Sequence, residues 1–338
     1  MLLVVNAGSS SIKCAVFDHG LVLQRQAQVS EIGTDGHRAA LAGLLAQGLA
    51  VGVTAAAHRI VHGGAELVQA CRLTDRVIAA IEACVPLAPL HNPANLAGIR
   101  ALAAIAPDLP QFASFDTAFH ATNPPEAVTY ALPLAARAQG LRRYGFHGIS
   151  YAGLVRTVQE MAGNSLPDRL LALHLGNGAS LCAIREGQSV ATTMGYSPLD
   201  GITMGTRAGG MDGNAVLRLA EVHGIAGAAR LLNRESGLLG LGGHSDMRAL
   251  QAAATPEAEF AIRHFTYWAI RHAGSMVAAM GGLDAVAFTG GIGENDAGLR
   301  AAIMAGLSWA GPVPVYVVRA EEERSIAAEA LDLLRKGA

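Results

Sequence analysis

The sequence predicts a mixed α/β protein of two similar domains, and three observations carry that expectation. The chain has 338 residues, enough for about two domains of ordinary size. Residues 2–16, LLVVNAGSSSIKCAV, lie without a gap over residues 170–184, LLALHLGNGASLCAI, at an offset of 168, close to half the chain. Strand-like and helix-like segments then intermix along the whole length.

In the repeat, leucine pairs overlie leucine pairs, Gly8 overlies Gly176, and Cys14-Ala15 overlies Cys182-Ala183. Each copy reads as strand, glycine turn, strand. The uncharged run 39–57 approaches membrane-spanning length, but it is alanine-rich, contains Gln47, Thr54 and three glycines, and lacks aromatic anchors. It reads better as a buried helix, a turn at Gln47-Gly48 and a strand. Further strand-like runs are 55–61, 170–175, 285–289 and 313–318. Helical length and composition mark 77–84, 94–104, 151–161, 215–223, 257–280 and 297–305, while 107–110 is a loop. A glycine-rich stretch at 145–150 is the expected domain boundary.

Apolar residues make up 51% and charged residues 15%, with 25 basic against 27 acidic side chains and a net charge of -2. A folded protein is implied, and a nucleic-acid or anionic-membrane partner is not. No basic segment precedes the short apolar start MLLVVN, so no secretion signal is expected and the cytoplasm is the expected compartment. Cys14, Cys71, Cys84 and Cys182 have no CxxC or metal-ligand spacing and read as small reduced core residues. Lysine occurs only at Lys13 and Lys336. One of two lysines retained just before a buried strand singles out Lys13.

Four glycine-rich turns are expected, at residues 7–11, 176–179, 237–243 and 290–295. Glycine lets backbone N–H groups approach an anion, and serine hydroxyls add donors. None fits GxxxxGK[ST]. The segment FTGGIGEN is the more specific, because it follows a strand and precedes a helix. Between the turns lie AHRIVHGG (57–64), PLHNP (89–93), FDTAFH (115–120), RRYGFHG (142–148), MGTRAGGMD (204–212) and HSDMR (244–248). His58 and His62 sit in a β-branched stretch, where such spacing does not bring them together, so a histidine metal cage is not expected. Arginines beside glycine and aromatic residues in turns suit carboxylate and phosphate oxygens.

These motifs, with NAGSSSIK, HLGNG and SDMR, occur in an order that resembles the acetate kinase family from Asn6 to Asn295. The resemblance implies α/β architecture with two duplicated actin-like, ribonuclease H-like domains, their mixed sheets flanking a nucleotide cleft. The domains would be 1–147, completed by 321–338, and 148–320. It implies reversible phosphoryl transfer between ATP and acetate, giving ADP and acetyl phosphate, with Mg2+ (or Mn2+ in its place). By motif match, Asn6 helps hold the metal, and Ser9, Ser10, Ser11 and Lys13 surround the phosphates. Arg59 and Arg207 clamp carboxylate and phosphoryl group, His147 donates to the transition-state oxygens, and His91 assists. Asp116 is the family's essential acid, which we assign to orienting an arginine or the metal shell.

His174, Leu175, Gly176, Asn177 and Gly178, then Asp246, Met247 and Arg248, then Gly291, Ile292, Gly293, Glu294 and Asn295 match nucleotide-binding segments. Val61, Leu90, Phe146 and Pro198 match positions that enclose the acetate methyl. The chain departs from the family in a compact segment before Arg59 and in Gly243-His244 before Ser245. Near its end Arg319-Ala320 precede Glu321-Glu322-Glu323, where the family carries a threonine and an Asx before two glutamates. Glu322 is favoured for the metal, with Glu321 and Glu323 open; the lesser alternative is that all three are solvated acids opening the last helix. A homodimer is implied. Kinases of propionate, butyrate or other short carboxylates share these residues, since one methylene changes preference by only about 1–3 kcal/mol. An actin- or chaperone-type ATPase would leave both arginines and His147 idle, and a silent regulator would be expected to have lost one of them.

Overall fold

The computed structural model describes residues 1–8, 11–33 and 36–337. The chain divides into two compact units, Met1–Ala121 with His147–Gly153 and Glu321–Ala338, and Thr122–Phe146 with Leu154–Ala320. Residues 122–146 thus group with the second unit and 147–153 with the first.

The first unit holds β1 (Leu2–Ala7), β2 (Ser11–Phe17), β3 (Leu23–Ser30), β4 (Ala55–Ile60), β5 (Cys71–Arg72) and β6 (Gln111–Phe115) in the order β3-β2-β1-β4-β6-β5. β1, β2 and β3 pair antiparallel, while β4 runs parallel to both β1 and β6. Side chains alternate across a strand, and β1 is buried on both faces. Leu3, Val5 and Ala7 pack with Ile12, Cys14, Leu41, Ala101 and Leu102, beneath the helices His37–Leu44 and Asn92–Ile105. Leu2 and Val4 pack on the other face with Ala57, Phe112, Ile326, Ala330 and Leu331, beneath the last helix, Glu322–Arg335.

The second unit holds β7 (Arg169–Leu175), β8 (Ala179–Arg185), β9 (Gln188–Thr192), β10 (Ala285–Thr289) and β11 (Val315–Val317) in the order β11-β10-β7-β8-β9. The core topology β3-β2-β1-β4-β6 is therefore repeated as β9-β8-β7-β10-β11, the duplication that the sequence repeat foretells. The pairing registers differ by one residue. Cys14 lies opposite Val5, but Cys182 lies opposite Ala172, and the last pairs before the turns are Ala7 with Ile12 and Leu175 with Ala179.

The helix Pro256–Met280 supports this sheet. Thr255 caps it by accepting from the Ala258 N–H at 3.2 Å, Pro256 and two glutamates open it, and Gly281 ends it at φ +74°. Ala258, Ala261, Phe265, Ala269, Ala273 and Met276 form its buried stripe. The helix expected over 215–223 extends over Gly213–Arg234 and kinks at Gly224, φ +71°.

Two of the four expected glycine turns are instead short helices, Gly237–Gly242 and Gly290–Asn295. Gly237 (φ +64°), Gly243 (φ +80°) and Gly290 (φ +80°) supply the left-handed residues at their borders, and the residues between coil right-handed. All four cysteines are free, with Cys14, Cys84 and Cys182 buried. Among the described residues no helix is long and apolar enough to cross a membrane.

Candidate active site

Strand parity places the expected residues of the first unit. Asn6 follows Leu2 and Val4 on the face beneath the last helix, and Lys13 stands opposite Asn6. Arg59 follows Ala55 and Ala57 on the same face, and Asp116 follows Phe112 and Ser114. The parallel strands β1, β4 and β6 end together, so Asn6, Arg59 and Asp116 cluster at that end. Arg59 donates from Nη2 to Asp116 Oδ2 at 2.6 Å, from Nε to Oδ1 at 3.3 Å, and from Nη1 to Asn6 Oδ1 at 3.4 Å. Glu322 Oε2 lies 3.8 Å from Arg59 Nε.

Asp116 is 2% exposed. Burial pushes its carboxyl up to about 6 from the ordinary 3.8; Arg59 opposes the rise and Glu322 adds to it. Burial alone would lower the Arg59 pKa, but Asp116, Glu322 and Glu323 outweigh it and hold the guanidinium charged. The three glutamates separate in geometry. Glu322 faces Arg59, Glu323 pairs with Lys13 at 2.8 Å, and Glu321 lies 3.8 Å from Arg324.

His147 sits beside this cluster. Its φ of +60° is rare for a residue with a side chain. The following Gly148 N–H donates to the Asp116 carbonyl at 2.7 Å, and a Cβ at Gly148 would strike that same oxygen. Val61 is buried just past β4, whereas Leu90 is 53% exposed and His91 is exposed at the start of the helix Asn92–Ile105. The sequence reading missed what holds this segment. Asn95 accepts from the Val61 N–H at 3.0 Å, Asn92 accepts from the His62 N–H at 3.1 Å, and Thr117 accepts from the Gly63 N–H at 3.1 Å. A signal existed: two asparagines in an otherwise apolar helix, PANL after PLHN, predict buried amides serving backbone. His58 bonds Gln111 at 2.7 Å, and His62 Nδ1 accepts from the Gly64 N–H at 2.9 Å. Burial pushes both imidazoles down to about 4.

In the second unit, His174 is the last residue but one of β7, opposite Ser180 and beside Thr289. Gly176 N–H donates to the Gly178 carbonyl at 3.0 Å, and Gly205 N–H to the Asn177 carbonyl at 2.9 Å. That second bond ties the turn after β7 to the segment carrying Arg207. Arg207 Nη1 donates to the Pro198 carbonyl at 2.6 Å, and burial lowers its pKa with no acid of the described residues offsetting it. The Pro198 loop is held by the Tyr130 hydroxyl, which accepts from the Tyr196 N–H at 2.9 Å, and by Arg143, which pairs with Asp200 at 3.0 Å. Phe146 is buried in the same unit.

Asp246 is the N-cap of the helix Met247–Ala253, accepting from the N–H groups of Arg248 at 3.0 Å and Ala249 at 3.1 Å; Met247 is buried and the Arg248 side chain exposed. Gly291, Ile292, Gly293, Glu294 and Asn295 form the short helix after β10, with Asn295 donating to the Gly291 carbonyl at 2.8 Å and Glu294 accepting from the Ala320 N–H at 2.9 Å.

Each unit thus carries its own share of the expected residues. Asn6, Ser11, Lys13, Arg59, Val61, Leu90, His91, Asp116, His147 and Glu322 belong to the first, and Phe146, Pro198, Arg207 and the segments 174–178, 246–248 and 291–295 to the second. Ser9 and Ser10 lie outside the described residues. Among the described residues no three His, Cys, Asp or Glu side chains gather to hold a metal by themselves. By donor chemistry the amide oxygen of Asn6 and the carboxylate of Glu322 are of the kind Mg2+ takes, one or two protein oxygens with the rest of its shell from water and phosphate.

A model of the acetokinase family matches residues 34–324. The chain is 39% identical to an acetate kinase of Nitrobacter hamburgensis over 98% of this chain and 96% of that protein. It is 42% identical to one of Pseudomonas aeruginosa over 98% of each. Its fold is similar to the crystal structure of Porphyromonas gingivalis acetate kinase, with TM-score 0.92 and 32% identity over 98% of this chain and 99% of the other. A propionate kinase from Francisella tularensis superposes with TM-score 0.89 and 32% identity over 97% and 98%. A hexokinase of Thermus thermophilus, TM-score 0.51 at 17% identity over 100% and 99%, shares the fold alone.

Proposed function

The chain belongs to the acetokinase family, and from that premise we propose that it is an acetate kinase transferring the ATP γ-phosphoryl reversibly to acetate, giving acetyl phosphate and ADP. The carrying observation is the convergence of Asn6, Arg59, Asp116 and Glu322 on one end of one sheet face. Phosphoryl transfer is catalysed mostly by positioning and by charge neutralisation. A carboxylate with a pKa near about 4 is already ionised at neutral pH and needs no strong base.

Arg59 and Arg207 are assigned to the carboxylate and phosphoryl oxygens, with His147 donating to the same oxygens and His91 assisting. Asp116 orients Arg59. Asn6 and Glu322 would hold Mg2+, or Mn2+ in its place, which when bound neutralises phosphate charge. Ser9, Ser10, Ser11 and Lys13, with the segments 174–178, 246–248 and 291–295, are assigned to ATP and ADP. Val61, Leu90, Phe146 and Pro198 are assigned to the acyl pocket. The domain division expected from the sequence, 1–147 with 321–338 and 148–320, differs from the compact units in placing 122–146 in the first domain and 148–153 in the second.

A homodimer is supported by the helix Gly213–Arg234, which buries Ala228 and Leu232 while Leu217, Val222 and Ile225 stand 57–83% exposed. The cytoplasm is the proposed compartment.

The Francisella similarity favours propionate as the second reading. Hydroxylamine trapping of acyl phosphate from ATP and Mg2+ tests both. Acetate is expected to give the highest kcat/KM, falling with propionate and butyrate. Preference for propionate would move the assignment to the second reading, and ATP hydrolysis with no acyl phosphate from any acid would overturn both.

A further inference from the structure

We propose that Asn95 is a positioning residue that wedges the ends of β1 and β4 apart and so sets the spacing of Asn6 and Arg59; this rests on the roles proposed above for those two side chains. In β4 the Ala56 N–H donates to the Pro110 carbonyl at 2.9 Å, and the Ile60 carbonyl accepts from the Asp116 N–H at 2.9 Å. Backbone groups of alternate residues point to opposite neighbours, so Ala56, His58 and Ile60 bond toward β6, and Ala57, Arg59 and Val61 toward β1. Continued beyond its last pair, Val5 with His58, the parallel register would next join the Val61 N–H to the Ala7 carbonyl. A side chain fills that rung instead. Asn95 accepts from the Val61 N–H through Oδ1 at 3.0 Å and donates through Nδ2 to the Ala7 carbonyl at 2.7 Å. An amide side chain offers the same donor and acceptor as a peptide unit. Both backbone groups are therefore satisfied while the strands stand one amide apart.

Asn95 is 3% exposed within the helix Asn92–Ile105, and Gly98 lets that helix down onto β1, where a Cβ on Gly98 would lie 3.0 Å from the Ala7 Cβ. The second sheet shows the corresponding strands without a wedge. β7 and β10 pair from Leu170 with Ala285 to His174 with Thr289, one pair further than Leu2 with Ala55 to Val5 with His58. Gly290 then lies so close that a Cβ on it would stand 2.6 Å from the Leu175 carbonyl oxygen. The pair that the first sheet forgoes is Asn6 with Arg59. Open α/β sheets take ligands in the crevice at the carboxyl ends of their strands, and the wedge parts the strands between these two residues. Arg59 Nη1 meets Asn6 Oδ1 at 3.4 Å, a long contact. Drawing β1 onto β4 would shift Asn6 against Arg59, and phosphoryl transfer is sensitive to such misplacement. An apolar residue at 95 would leave two buried backbone groups unpaired, whereas a smaller one would let them pair directly.

The test compares Asn95→Leu with Asn95→Ala in the full-length enzyme by crystal structure, thermal unfolding and steady-state kinetics. Leucine has the length and branching of asparagine, so it keeps the strands apart but strands the Val61 N–H and the Ala7 carbonyl. Alanine vacates the space and permits the direct rung. The Leu variant is therefore expected to unfold at the lower temperature yet keep kcat within about threefold, whereas the Ala variant is expected to lose kcat about 10- to 100-fold. In its crystal structure the Val61 N–H should donate straight to the Ala7 carbonyl. An asparagine that serves stability alone gives no such crossing. Equal kcat in the two variants, a kcat that follows unfolding temperature, or strand ends that stay apart in the Ala variant would overturn the proposal. Should one variant not fold, the other decides: Leu by whether kcat survives its lower unfolding temperature, Ala by whether the direct rung forms and kcat falls. An unaltered enzyme that makes no acyl phosphate fails the kinase reading, while the two crystal structures still judge the wedge.

Discussion

Arg59 and Arg207 are assigned to the same reaction, yet their surroundings are opposite. Arg59 is gripped by Asp116 and faced by Glu322 and Asn6, so its charge is fixed in place and locally neutralised. Arg207 holds one backbone carbonyl, at Pro198, and burial works against its charge with no acid of the described residues in support. Acids fix the geometry of Arg59 within the first unit, whereas Arg207 in the second carries its charge with no acid of the described residues beside it.

The comparison is broken most forcefully by removing each arginine. Arg59→Ala and Arg207→Ala are each expected to lower kcat/KM on the order of 1000-fold, the scale of a lost arginine on a transferring phosphoryl group. They should part in stability. Arg59→Ala leaves Asp116 buried without its partner, which destabilises by about 3 kcal/mol where the aspartate stays charged, whereas Arg207→Ala strands no acid and should unfold near the unaltered temperature. Steady-state kinetics beside thermal unfolding reads both. Equal unfolding temperatures for the two variants would mean that Asp116 does not depend on Arg59.

A smaller effect separates space from backbone strain in the second unit. Gly237 at φ +64° and Gly243 at φ +80° border the same short helix. A Cβ on Gly237 would strike the Met204 carbonyl and lie 2.7 Å from that of Arg207, while one on Gly243 meets nothing within 4 Å. Gly243→Ala should cost about 1 kcal/mol, the left-handed penalty alone, with little change in kcat/KM. Gly237→Ala must also displace the Arg207 segment, so its kcat/KM should fall about 10- to 100-fold, in line with a misplacement of about 1 Å at the site. Similar activity in the two would show that the Arg207 segment yields freely.

Acid should press harder on the first unit: burial lowers the pKa of His264 and His272 in the second as well, but that of His58 and His62 further. His58 and His62, both in the first unit, have imidazoles pushed from 6.5 down to about 4 by burial. The stability they contribute is present above pH 6.5 and is lost as pH falls toward about 4. Asp116, pushed up to about 6, has the other sign: its contribution is full below 3.8 and is lost as pH rises through about 6. Two groups oppose one over the shared window, so the first unit should weaken between pH 6.5 and 4. His58→Gln should flatten that dependence, and Asp116→Asn should steepen it, in urea unfolding followed against pH. An unaltered slope in His58→Gln would place the acid sensitivity elsewhere.

Much of this was legible in the sequence, and the rest was hidden for identifiable reasons. The repeat of LLVVNAGSSSIKCAV and LLALHLGNGASLCAI announces both hairpins because strands buried on two faces are nearly continuous apolar runs. Their one-residue difference in register is invisible there, because an ungapped match says nothing about how many residues the turn takes up. Arg59, Asp116 and Glu322 are recognisable as types, but their convergence depends on parallel strands ending together, which is a property of topology. Gly237–Gly242 reads as a loop from composition, since glycine is a poor helix former, and its packing against residues 204–207 and the helix Pro256–Met280 holds it helical.

The smallest expected effect concerns Asp246, which motif match assigns to nucleotide binding and which the structure uses as a helix cap. Its carboxylate accepts from two N–H groups of the first turn of Met247–Ala253, and those bonds hold its pKa below the ordinary value. Asp246→Ala should lower the unfolding temperature slightly, as loss of an N-cap does, and Asp246→Asn should recover most of it because the amide oxygen still accepts. If capping is the whole role, the ATP KM follows stability and Asn rescues both. If the carboxylate also organises the nucleotide, Asn restores the unfolding temperature while the ATP KM stays raised. Asp116 would then have a counterpart in the second unit, an acid kept where a neutral cap would have served the fold.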